Sequence, residues 1–199
     1  VPRLYSSENI SNSDVKAALA ELDKCLEKRS EYLDRRVRQI DTVRYKLSIP
    51  RLPLKSRLDL TWKLAGLYDG YLSDSALIYY TKGMNLSVGN DNVWYNRFRI
   101  KRCETLPLVA LFNEALQEFE SIRIDSLPAE DQTLAFDAGR QLYSYVASFY
   151  VDHPEHYRTW NDRSLEMQEQ LIRHSEPNSQ MCKFNQAEYL FMTGEYQKS

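Results

Sequence analysis

Leu64-Ala65-Gly66-Leu67-Tyr68, followed by Asp74-Ser75-Ala76-Leu77-Ile78-Tyr79-Tyr80 and Gly83, is the stretch that decides the fold. Small residues at 65, 66, 76 and 83 let two helices approach closely, and aromatic residues at 68, 79 and 80 fill the space to a third. The pattern returns at Ala187-Glu188-Tyr189-Leu190-Phe191-Met192-Thr193-Gly194-Glu195-Tyr196-Gln197-Lys198, with Ala187, Leu190, Gly194 and Tyr196 in a first helix and its turn. Asn113-Glu114-Ala115-Leu116-Gln117-Glu118-Phe119 is a weaker echo of a second helix. Recurrence of paired helices with short turns and a period in the mid-thirties marks stacked helical hairpins.

Outward from these stretches the chain reads as helix throughout. Apolar residues at Val15, Leu19, Leu22, Leu26, Leu33, Val37, Ile40 and Leu47 step by 3, 4 and 7, which predicts one long amphipathic helix with an a/d-like seam. Its length is close to 50 Å at about 1.5 Å per residue. Ser13 is placed to cap it, and Ile49-Pro50-Arg51-Leu52-Pro53 stops it. Further helices are predicted over 54–71, 73–88, 92–103, 106–122, 126–151, 152–175 and 177–192. Pro107 suits a first turn, Ser73 or Asp74 a cap, and Gly89-Asn90-Asp91 an exit turn. The expected fold class is all-α: a tetratricopeptide-like helical-repeat solenoid preceded by a long amphipathic helix. The expected organisation is a flexible lead-in over 1–12, the long helix over 13–48, and hairpins over 49–199. The last repeat is cut short, so the chain reads as part of something longer.

Composition narrows the function. The 199 residues are 43% hydrophobic and 27% charged with a formal charge of -2, which argues against a nucleic-acid binder. No apolar run is long enough to span a membrane. Six Gly and seven Pro are too few for an all-β chain of many hairpins. Cys25, Cys103 and Cys182 stand far apart, read as small buried residues, and predict no intrachain disulfide.

The order of elements adds a resemblance. A leading helix reading Leu22-Asp23-Lys24-Cys25-Leu26-Glu27-Lys28-Arg29-Ser30-Glu31-Tyr32-Leu33, then Arg38-Gln39-Ile40, precedes Tyr68-Asp69-Gly70-Tyr71 and Asp74-Ser75-Ala76-Leu77-Ile78-Tyr79-Tyr80. This resembles the N-terminal half of a Bacteroidetes family of uncharacterised proteins with divergent tetratricopeptide-like repeats. The turn between Tyr71 and Asp74 is shorter than that family's usual spacing. The resemblance implies an exported sensing domain of a one-span membrane regulator, with membrane and DNA-binding segments lying outside this region. It implies a periplasmic location; the alternative is a cytoplasmic scaffold holding a partner's extended segment.

No motif for chemistry appears. The sequence lacks any Gly-x-Gly pair, which excludes a dinucleotide fingerprint and a phosphate loop. His153 and His156, in Asp152-His153-Pro154-Glu155-His156, have ligand spacing, but Asp152 or His153 as a cap and Pro154 in the first turn explain the segment without a metal. Glu130-Asp131 after Pro128 reads as dipole complementation. No catalytic residue, metal or cofactor is expected, and the chain is read as non-enzymatic.

Recognition remains. Lys28 to Arg57 holds ten basic residues against three acidic, and Glu114 to Asp137 holds seven acidic against Arg123. Such blocks read as solvated faces, or as a basic front and acidic rear for pairing with another copy or a partner. Arg97, Arg99, Lys101 and Arg102 interleave with Trp94, Tyr95 and Phe98, a mixture suited to lining a groove for an acidic or extended peptide. Arg97 and Arg99 cannot share one helical face, so part of this group must be solvent-exposed. Fourteen tyrosines are mostly inter-helix packing, with a minority free for contact. The candidate partner-binding residues are Tyr68, Tyr71, Trp94, Arg97 and Tyr143. The expected partner is a protein or peptide, with self-association through the leading seam and no nucleic acid.

Overall fold

The computed structural model describes residues 12–194, and these form helices α1 (Asn12–Glu27), α2 (Arg29–Leu47), α3 (Leu54–Tyr68), α4 (Ser73–Ser87), α5 (Asn92–Thr105), α6 (Phe112–Glu120), α7 (Ala129–Phe149), α8 (Pro154–His174) and α9 (Gln180–Met192). The expected lead-in falls, up to residue 11, outside the described residues, as does the last repeat after Gly194. The chain divides into two compact units, Val1–Lys46 and Leu47–Ser199.

In the first unit the single helix expected over 13–48 is two helices, parted at Lys28. Long hydrogen bonds from Lys28 N to Lys24 O (3.3 Å) and Tyr32 N to Lys28 O (3.2 Å) carry the backbone across the break. As described, α1 runs from Asn12, which places Ser13 within its first turn. Only Ile40 and Val43 of α2 are buried.

In the second unit each helix packs on its chain neighbour, and α5 also packs on α7 across the short α6. This is the expected all-α repeat architecture, with α3, α5, α7 and α9 as first helices of successive hairpins. Small residues sit where helices meet. Ala65, Ala76, Ala115, Ala135 and Ala138 are all fully buried. Gly83 of α4 faces Phe98 of α5 so closely that a Cβ there would lie 2.2 Å from the ring, and Gly139 of α7 faces Phe119 in the same way at 2.4 Å. The aromatics fill what remains: Trp62 meets Tyr80, Trp94 and Phe98 edge-on at 5.4–5.9 Å.

Connections follow turn chemistry in some places and not in others. Gly70 closes the short α3–α4 link in a left-handed conformation (φ +66°) that glycine adopts at little steric cost. Gly89 (φ +70°) exits α4, and the Asp91 carboxylate accepts from Val93 N and Trp94 N to cap α5. Neither Ser73 nor Asp74 caps α4, whose cap position is Leu72. Ser179 caps α9 by accepting from Cys182 N, two residues later than the predicted start. The helix predicted over 106–122 is interrupted: Leu106–Val109 is a 3-10 turn, Ala110 is left-handed (φ 64°), and α6 begins only at Phe112. Leu106 and Pro107 are buried in that turn, so core packing outweighs the helical propensity around them.

The three cysteines are free. Cys103 and Cys182 are buried as expected; Cys25 is exposed, because α1 carries no buried residue around it.

Candidate functional site

α7 is the element that builds a site. Glu130, Thr133, Leu134, Asp137 and Arg140 recur at helical spacing on one of its faces and line a groove of about 430 Å³. Leu171 of α8 and Met181, Phe184 and Asn185 of α9 complete it. Leu134 and Leu171 are apolar, while Met181 and Phe184 stand 64% and 61% exposed.

The polar rim is braced by ion pairs. Arg140 reaches Asp137 Oδ1 (2.9 Å) and Glu188 Oε1 (3.1 Å), tying α7 to α9. Gln168, fully buried on α8, donates from Nε2 to the Asn185 carbonyl (2.8 Å) and Glu188 Oε2 (3.4 Å), while its Oε1 has no hydrogen-bond partner. Arg97 of α5 binds Glu130 and, through Nε, Asp131 Oδ1 (2.6 Å), and its guanidinium lies 5.6 Å from the Trp94 ring centroid. The rim and its supports thus hold four carboxylates (Glu130, Asp131, Asp137, Glu188) against two guanidiniums (Arg97, Arg140), an acidic balance.

A basic lining for this surface is therefore corrected. Every member of the α5 basic group is engaged: Arg97 with α7, Arg99 and Arg102 with Glu118 of α6, and Lys101 with Glu104 (2.6 Å) and Asp69 (3.4 Å). The acidic block over 114–137 supplies Glu118, Glu130 and Asp131, so the α5 basic group is paired with part of that block.

The five residues singled out in the sequence fall in different places. Tyr68 is 4% exposed and stacks on Tyr79 (5.5 Å, 4° between planes). Tyr143 is 6% exposed, stacks on Trp160 and meets Phe119 edge-on. Their rings are spent on packing between helices. Tyr71 is exposed beside Gly70, away from the α7 groove. Trp94 is half-buried and, with Arg97, adjoins the groove through Glu130. Asp137, Arg140, Met181 and Phe184 were not singled out. Their signal was a polar series on one face of α7, and two apolar residues one turn apart, Met181 and Phe184, on the same face as Asn185.

His153 and His156 have ring centroids 6.5 Å apart, with His156 against Tyr150, and no group of three His, Cys, Asp or Glu side chains suited to a metal occurs among the described residues. No described helix is long and apolar enough to cross a membrane.

Stacked helical hairpins with a braced groove across their first helices define a tetratricopeptide-type interaction module. More particularly, the chain belongs to the family of the SusR N-terminal TPR domain, whose family model matches residues 26–199. No curated protein matches. Among solved structures, BtubC (BKLC) from P. vanneervenii is similar at 15% identity and a TM-score of 0.48, over 91% of this chain and 75% of that chain.

Proposed function

We propose that the chain is the exported sensing domain of a membrane-anchored transcriptional regulator, and that its α7–α9 groove takes an extended segment of a protein partner. Domains of this repeat class generally mediate protein–protein interaction, and membership of the SusR N-terminal family supports a regulator's sensing or interaction module. The groove itself carries the reading: exposed Phe184 and Met181 offer apolar area beside an acidic rim. That chemistry favours a segment presenting an apolar side chain next to Lys or Arg, in place of an acidic peptide. Self-association of the chain belongs to the same reading, as does a periplasmic location.

One observation favours the cytoplasmic scaffold. Three free thiols, one of them exposed, suit a reducing compartment. The same groove serves both readings, so location is the discriminator between them.

Selection from a displayed random-peptide library tests the groove. Wild-type protein is expected to enrich basic–apolar sequences, and Phe184→Ala to weaken them at least tenfold without loss of helix content. Enrichment of acidic sequences, or binding unchanged by Phe184→Ala, refutes the assignment.

A further inference from the structure

Val15, Leu19, Leu22 and Leu26 form a continuous stripe on α1, and all four are exposed, at 44%, 53%, 53% and 58%. Steps of 4, 3 and 4 are the d and a positions of a heptad, the seam along which two helices pack. Soluble helices rarely leave such a stripe uncovered. The residues flanking it are unequal on its two sides: Lys16 and Asp23 at e, Ala18 and Cys25 at g.

The flanks choose the partner and its direction. A parallel pair of α1 helices sets e against g, which puts Asp23 near Ala18 and creates no opposite-charge contact. It also continues into Arg29 and Arg36 at the next d positions, each facing its own copy. An antiparallel pair sets e against e and g against g. One register then places Leu19 against Leu22 of a second copy and Val15 against its Leu26. The same register brings Lys16 against Asp23 twice and leaves small Ala18 beside Cys25. Sliding by one heptad towards α2 puts Leu19 against Arg29, so the alternative registers carry a penalty.

We infer that two copies of this chain pair through α1 as an antiparallel two-stranded coil, in the register that joins Leu19 to Leu22 and Lys16 to Asp23. The contact is isologous, as a two-fold dimer requires. It gives geometry to the self-association in the proposed function and rests on that part of it; it does not involve the groove. Covering eight half-exposed side chains removes on the order of 800 Å² in all, below the standard interface of about 1,200–2,000 Å², so the dimer is concentration-dependent, not obligate. Exposed apolar seams in the full chain thereby become hidden as copies gather.

Sedimentation equilibrium and cysteine cross-linking of the whole chain test the pairing. Lys16→Glu should weaken dimerisation at least tenfold, and Lys16→Glu with Asp23→Lys should restore it to within about threefold. Under mild oxidation Ala18→Cys should give a covalent dimer through Cys25 of the second copy. Leu22→Cys in a Cys25→Ala background should not, because residue 22 faces residue 19. Cross-linking by the Leu22→Cys variant, failure of the charge swap to restore association, or monomer at every concentration overturns the inference. All substituted side chains are exposed, so unchanged circular dichroism confirms that the fold is retained. Peptide capture by the same preparations, read with Phe184→Ala, reports separately on the groove.

Discussion

Replacing Gly83 by alanine inserts a methyl group into the α4–α5 contact. The added carbon would lie 2.2, 2.3 and 2.5 Å from three atoms of the Phe98 ring, where ordinary contact needs about 3.5–4.0 Å. The ring must therefore retreat by more than an ångström, and it has nowhere to go. Phe98 is fully buried, with Trp62 at 5.4 Å and Trp94 at 5.5 Å between ring centroids. Overpacking of a closed core costs typically 1–3 kcal/mol, occasionally more. Alanine returns at most about 1 kcal/mol through helix propensity. The net expectation is destabilisation by about 1–2 kcal/mol, or roughly 2–8 °C in Tm for a chain of this size. Gly66→Ala is the internal control: the same substitution in a helix interior with no atom within 4 Å, expected to gain about 0.5–1 kcal/mol. Thermal and urea denaturation of both variants decide the matter. Equal stabilisation by Gly66→Ala and Gly83→Ala refutes the close contact and with it the α4–α5 packing.

Arg97→Ala should cost about 2–3 kcal/mol by stranding Asp131, whose side chain is 3% exposed, and the Arg97→Ala/Asp131→Asn double variant should recover part of that in a mutant cycle. Thiol titration should show Cys25 reacting at once and Cys103 and Cys182 only on unfolding; three fast thiols would contradict their burial. Stability should fall as pH rises above about 9. Burial pushes the Cys103 thiol and the Tyr80 hydroxyl (beside Asp69) above their ordinary 9.0 and 10.0. Burial opposes the Lys101 ammonium, yet Glu104 and Asp69 hold it above 10.5. Each group keeps its proton longer when folded, so the unfolded chain deprotonates first and rising pH favours it. Tyr80→Phe should flatten the decline above pH 10, and a stability profile level to pH 11 would contradict the network.

Local patterns made the helical class readable. The small residues at 65, 76 and 83 and the aromatics at 68, 79 and 80 specify their own packing, because helix contact depends on size at fixed spacing. Where two local signals competed, only the three-dimensional context decided. Leu106-Pro107 looks like a helix start, but burying both side chains draws the backbone into a 3-10 turn and a left-handed Ala110. The groove was still less legible. The partners of Arg97 lie 33 and 34 residues away on α7, a distance at which sequence spacing carries no directional information. Half-buried Asp137 and Arg140 and exposed Phe184 look in sequence like any solvated helix face. They become a site only because α7 and α9 are brought side by side. Tyr68 and Tyr143 mark the reverse case, contact-type residues whose rings the stacking of hairpins uses up.

The central claim, an exported sensing domain of a membrane-anchored regulator, is tested most directly by protease accessibility of this region within the full-length protein. Intact cells, cells with the outer membrane opened, and lysed cells are compared. Digestion as soon as the outer membrane is opened is the predicted result. Protection until lysis would contradict the claim, place the groove in the cytoplasm, and leave the scaffold reading in its place.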